Sequence, residues 1–93
     1  MSITESTRVG ISNTSYSRRF DDEVVVLDLG QGVYYALDEV GAMLWERLEK
    51  GDSVGEAATA VAGAYEVTRE KALSDAVRLV GELVEKGLIV CKG

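Results

Sequence analysis

Cys91 is the one thiol in a chain of 93 residues that contains no histidine. A cysteine nucleophile needs a base or a lowered pKa to populate its thiolate, and this thiol near the C-terminal end has no imidazole to activate it. With histidine missing, zinc ligation and general-base chemistry fall to carboxylates alone. The densest carboxylates are Asp21, Asp22 and Glu23, adjacent residues in an expected hairpin turn, where a solvated acidic loop is the plainer reading than a metal cage. The ten glycines form no phosphate-cradling cluster, and Gly30-Gln31-Gly32 lacks the third glycine and following helix of a dinucleotide fingerprint. It reads as a turn. The residues therefore point to no catalytic group, no metal and no cofactor.

The charge balance narrows the partners. Ten Lys plus Arg against sixteen Asp plus Glu leave a net charge of -6, which repels a polyanion over most of the surface. Nucleic acid is not expected as a partner. No apolar run is long enough to cross a bilayer, and the small polar residues from Ser2 to Ser17 do not form a signal-peptide layout. A cytoplasmic protein without a membrane partner is expected. The length suits one domain over 1–93, with a polar N-terminal arm at 1–7.

The elements follow from periodicity and caps. Arg8 to Ile11 alternates weakly, Ser15 to Phe20 is a second extended segment, and Val24 to Leu29 is a strand rich in β-branched residues. The Gly-Gln-Gly turn leads into Val33 to Leu37. Short connections favour antiparallel neighbours, which predicts a meander with Val24 to Leu29 in the centre and Val33 to Leu37 outside it. Asp38 is placed to cap a helix running to about Glu49, with Val40, Leu44, Trp45 and Leu48 on its apolar side and Gly51 beyond its end. Trp45 is most simply a packing residue. Ser53 and Glu56 have capping-box spacing for a second helix, and Thr68 caps a third that continues to Lys86 and stops at Gly87. Leu88 to Val90 offers a short terminal strand or tail.

Two of these segments suggest binding. Val33, Tyr35 and Leu37 fall on one face of the strand and Tyr34 and Ala36 on the other, so both faces of an open edge are apolar. The third helix carries two apolar rows, Ala72, Ala76, Leu79 and Leu83 in one and Leu73, Val77, Val80 and Val84 in the other. Such a helix can simply be central in the core. Alternatively one row packs inward while a groove opens against the strand edge, walled by Leu73, Ala76, Val77, Val80 and Val84. A groove of that kind suits an extended peptide, which gains main-chain hydrogen bonds from the edge and side-chain pockets from the helix.

Gly32-Val33-Tyr34-Tyr35-Ala36-Leu37-Asp38, then Gly41-Ala42-Met43-Leu44-Trp45 and Leu48, then Asp75, Leu79, Leu83 and Gly87-Leu88-Ile89, resemble the PqqD-like recognition domains of ribosomal peptide natural-product pathways. The resemblance runs from about Phe20 to Val90. It implies an α+β, winged helix-turn-helix-like fold with a three-stranded antiparallel sheet followed by three helices. It also implies that the leader segment of a precursor peptide adds to the third strand and packs against the third helix. The Tyr34-Tyr35 pair and the length look most like the discrete leader-binding protein of lasso-peptide clusters. Those proteins work beside a cysteine-protease-like leader peptidase and an asparagine-synthetase-like cyclase. Two other readings stay open: a domain serving a radical enzyme in pyrroloquinoline quinone assembly, and a winged-helix DNA-binding regulator of the same topology. Against the regulator, Arg69, Lys71, Arg78 and Lys86 are balanced by Glu70, Asp75, Glu82 and Glu85.

Overall fold

The computed structural model describes residues 3–92, so Met1 and Ser2 of the expected arm and Gly93 lie outside the described residues. Five strands and three helices follow in the order β1 (Val9–Ile11), β2 (Ser15–Phe20), β3 (Glu23–Asp28), β4 (Val33–Leu37), α1 (Glu39–Glu49), α2 (Val54–Ala64), α3 (Arg69–Glu85) and β5 (Ile89–Cys91). The antiparallel meander is β2-β3-β4, with β3 in the middle as its β-branched run requires. The weak first segment and the terminal one pair with each other, Gly10 opposite Val90, in a separate two-stranded sheet. Each of these strands has only three residues, and a pairing between the two ends of a chain leaves no local periodicity to read.

The register of the meander fixes which backbone groups are spent. Leu29 N–H donates to Thr14 C=O (3.1 Å), in phase with the β2–β3 pairs Tyr16 with Leu27, Arg18 with Val25 and Phe20 with Glu23. Hydrogen-bonded and non-hydrogen-bonded pairs alternate along an antiparallel ladder, so Val24, Val26 and Asp28 turn their backbone groups toward β4. Their β4 partners are Leu37, Tyr35 and Val33. The N–H and C=O groups of Tyr34 and Ala36 are thus left facing the open edge. The two-residue turn between β2 and β3 places Asp21 at φ 56°, in the left-handed region that Asp tolerates better than most residues.

The helix boundaries are set by the expected caps. Asp38 accepts from Gly41 N–H (2.9 Å), Ser53 and Glu56 form the reciprocal capping box, and Thr68 accepts from Lys71 N–H (3.1 Å). Gly51 and Gly87 follow α1 and α3 at φ 105° and 74°, where a side chain would be strained. α3 ends one residue before the expected Lys86, which serves as its cap.

The core lies between the inner face of the meander and the helices. Val24 and Val26 of β3, Leu44, Trp45 and Leu48 of α1, Val61 of α2, and Leu83 of α3 are all buried. Trp45 is 2 % exposed, which confirms it as a packing residue. Small side chains at Ala57, Ala58, Ala72 and Ala76 let α2 and α3 approach closely. Asp28 is the buried charge of this layer. Its carboxylate accepts from the Thr14 hydroxyl (2.7 Å), Gly30 N–H (2.8 Å) and Gln31 Nε2 (3.1 Å). Led by the Thr14 hydroxyl, these donors hold its pKa below the ordinary aspartate value against the opposing effect of burial.

The N-terminal arm is less detached than its polarity suggests. Thr7 C=O accepts from Val54 N–H (2.9 Å) and Glu5 C=O from Gly55 N–H (2.8 Å), so the arm satisfies two donors that the start of α2 would otherwise leave open. Arg69 of α3 clasps Glu5 at 2.6 Å.

Candidate functional site at an open strand edge

β4 offers its free edge beside a groove of about 370 Å³. The strand contributes Tyr35, Ala36 and Leu37, and α1 adds Val40, Gly41 and Leu44 where the chain turns away at Asp38. Val61 and Val67 close the floor from the α2 side, and α3 supplies Ala72, Asp75, Arg78 and Leu79. The sequence alternation holds along β4. Leu37 is 3 % exposed and faces the helices, Val33 and Tyr35 are half-buried on the same side, and Tyr34 is 67 % exposed on the outer face with Ala36. On that outer face Tyr16, Leu27 and Tyr34 stand in one cross-strand row.

The wall that α3 presents to the groove differs from the expected one. Ala76 and Val80 are wholly buried in the core, and Leu73, Val77 and Val84 are half-buried and packed against that core. None of the five lines the groove. The reason is helical geometry: at 100° per residue, Asp75, Arg78 and Glu82 lie on one side of the buried Ala72-Ala76-Leu83 stripe and Leu73, Val77 and Val84 on the other. Leu73, Val77 and Val84 lie on the flank nearer Gly81, where a Cβ would meet Ile3 of the N-terminal arm at 3.7 Å. The structure therefore brings Tyr35, Ala36 and Leu37 of the expected set into the groove, leaves Val33 and Tyr34 beside it on β4, and lines the α3 side of the groove with residues other than the expected five. Asp75 and Arg78, which line the groove, and Glu82 next along the same flank had a signal in their spacing of three and four, which reads as a solvated helix face unless a strand edge is known to run beside it.

The polar groups of this wall are linked. The Tyr35 hydroxyl donates to Glu82 Oε2, and Lys86 Nζ stands 5.7 Å from the centre of the Tyr35 ring. That hydrogen bond, with some desolvation and the Glu82 charge, holds the Tyr35 phenol above the ordinary tyrosine range. Asp75 is held by Lys71 at 3.0 Å. Arg78 reaches Asp75 at 3.6 Å and Glu82 at 4.0 Å. Of the basic residues near the start of the chain, Arg8, just before β1, pairs with Glu56 (3.2 Å), and Arg19 of β2 with Glu46 (2.5 Å). The acidic turn lies elsewhere, in a shallow cleft formed by Phe20 to Glu23 with Glu39. Among the described residues no group of three or more acidic or thiol side chains is placed to hold a metal ion, and no helix is long and apolar enough to cross a membrane.

An edge with two unspent N–H and two unspent C=O groups, flanked by an apolar floor, can accept another strand and one or two of its side chains. The family described as coenzyme PQQ synthesis protein D, PqqD, matches residues 23–89. The chain matches none of the curated proteins. A solved structure of TbiB1 in complex with the TbiA(beta) leader peptide is 37% identical, with a TM-score of 0.79 over 85% of this chain and 92% of that one. A lasso peptide synthetase B1 complexed with the leader peptide is 29% identical, with a TM-score of 0.78 over 91% of this chain and 98% of that one.

Proposed function

The chain belongs to the PqqD family, and from that premise we propose that it binds the leader segment of a ribosomally made precursor peptide in lasso-peptide biosynthesis. The leader adds as a strand to the open edge of β4 and packs its inward side chains between Leu37, the groove floor and α3. The observation that carries this reading is the open pair of Tyr34 and Ala36 backbone groups beside a groove, in a chain similar to two proteins solved with a leader peptide bound. The protein acts by delivery, presenting the bound precursor to a separate leader peptidase and an asparagine-synthetase-like cyclase in the cytoplasm. It has no histidine-activated nucleophile with which to process the peptide itself.

The family description supports a second reading, in which the same edge delivers a peptide to a radical enzyme of quinone-cofactor assembly. The two structural neighbours favour the lasso reading. Isothermal titration against the synthetic leader of a lasso precursor encoded alongside the chain separates the two. Saturable binding is expected, together with an unchanged precursor mass when peptide and protein are incubated without partner enzymes. No binding to that leader, or a new cleaved or dehydrated species, overturns the proposal.

A further inference from the structure

Arg78 lines the groove with its hydrogen-bonding capacity largely unspent. The carboxylates in and beside the groove are committed: Asp38 caps α1 through Gly41, Asp75 is held by Lys71 at 3.0 Å, and Glu82, just outside it, accepts from the Tyr35 hydroxyl. The Arg78 guanidinium has five N–H donors in a planar fork, yet its ion pairs are single contacts at 3.6 and 4.0 Å. Its side chain is 71% exposed while lining the groove. Both contacts run to neighbours on its own helix, the kind of exposed pair that contributes little and is readily exchanged.

The strand register says what would meet it. The backbone groups of Tyr34 and Ala36 face the open edge, so leader residues opposite those two would have their side chains on the outer face. A leader residue opposite Tyr35 would belong to a non-hydrogen-bonded pair and point its side chain inward, toward α3. Arg78 is close enough to Tyr35 for its charge to act on the phenol. The geometry points to Arg78 as a specificity-determining residue that takes a side-chain carboxylate of the bound peptide at the groove-facing position beside Tyr35. A carboxylate there can engage two guanidinium N–H groups at once, which neither Asp75 nor Glu82 does. Placed over the apolar floor of Leu37, Val40 and Leu79, the pair is also less solvated than Arg78 alone on the helix surface.

This inference rests on the leader-binding reading, and its test keeps the two apart. The probe is a set of synthetic peptides built on the leader of the precursor encoded alongside the chain, in which each position is replaced in turn by Ala, Glu and Lys. Affinities are measured by fluorescence anisotropy for the parent, Arg78→Gln and Arg78→Glu, after circular dichroism shows matching folds. The parent is expected to prefer Glu over Lys at one groove-facing position by about tenfold, the usual scale of a charge-assisted pair in a partly desolvated site. Arg78→Gln should lose that preference and Arg78→Glu should reverse it to Lys. If peptides bind and all three proteins give the same positional profile, Arg78 reads no carboxylate while the leader-binding reading stands. If no peptide in the set binds the parent, both fall.

Discussion

Tyr35 and Glu82, on β4 and α3, are joined by a hydrogen bond from the phenol to the carboxylate, so the strand edge and the groove wall are tied to one another directly. Removing the hydroxyl in Tyr35→Phe leaves the ring in place and should lower stability by about 0.5–1.5 kcal/mol, the net worth of one such bond. The tie also predicts an alkaline signature. A phenol whose folded pKa is raised contributes stability that is fully present below its unfolded pKa of about 10 and is lost as pH rises through the folded value. Urea unfolding of the parent should therefore show stability falling above about pH 10, and Tyr35→Phe should fall less steeply. Some slope will remain in the variant, because burial and the Glu39 carboxylate also raise the Tyr65 phenol. Identical alkaline slopes would mean that the bond does not bias the phenol.

Asp28 should contribute to the acid limb, alongside Glu5, held low by Arg69, and Glu56, held low by the Ser53 backbone N–H. The Asp28 pKa is lowered chiefly by the Thr14 hydroxyl, so its contribution is present above the unfolded aspartate pKa of about 4 and is lost as pH falls through the folded value. Asp28→Asn keeps the shape but turns one acceptor into a donor facing Thr14, Gly30 and Gln31. The expected result is a lower urea midpoint at neutral pH and a flatter midpoint-against-pH curve between about pH 5 and pH 2. A variant as acid-sensitive as the parent would place the acid-labile group elsewhere.

Much of this architecture is legible in the sequence because it is locally written. The Ser53/Glu56 box, the Asp38 and Thr68 caps and the β-branched run of β3 each set a boundary within a turn or two. The α3 wall is different. Which flank of α3 meets β4 depends on how the helix crosses the sheet, and two apolar rows at similar spacing cannot decide it. Ala76 and Val80 are wholly buried in the core, while Arg78 looked like an ordinary solvated side chain. The docked arm was also hidden, since its anchors are the backbone carbonyls of Glu5 and Thr7, whose partners no side-chain pattern announces.

The relocated wall gives opposite expectations for two glutamate substitutions. Val77 packs on the far flank of α3, so Val77→Glu should cost about 1–3 kcal/mol of stability through partial burial of a charge while leaving leader affinity of the folded protein unchanged. Val67 is 37 % exposed and lines the groove floor. Val67→Glu should fold normally and weaken leader binding by about tenfold or more, because the seated peptide would strip water from the new carboxylate. Thermal unfolding and calorimetry on the same preparations check both. The reverse assignment, with Val77→Glu impairing binding and Val67→Glu neutral, would restore the apolar row as the groove wall.

The docking edge itself can be tested against the sheet's other open edge. β2 is also unpaired on its outer side among the described residues. The β2–β3 pairing phase spends the backbone groups of Tyr16, Arg18 and Phe20 on β3, which leaves the Ser17 N–H facing outward as Ala36 N–H does on β4. Proline removes that donor, and its ring occupies the space an incoming strand needs. Both positions are exposed edge sites that tolerate proline, with an extended residue before each. Two features favour β4. The groove of about 370 Å³ runs beside it, whereas the β2 edge carries Arg18 and Arg19. Ala36→Pro should therefore weaken leader binding by about tenfold or more, since losing a bond and stranding a peptide carbonyl together cost about 1–3 kcal/mol. Ala36→Thr, which keeps the N–H and points its side chain to the outer face, should bind like the parent. Ser17→Pro should also bind like the parent. Loss of binding in Ser17→Pro with retention in Ala36→Pro would move the peptide to β2 and leave the β4 groove without a ligand.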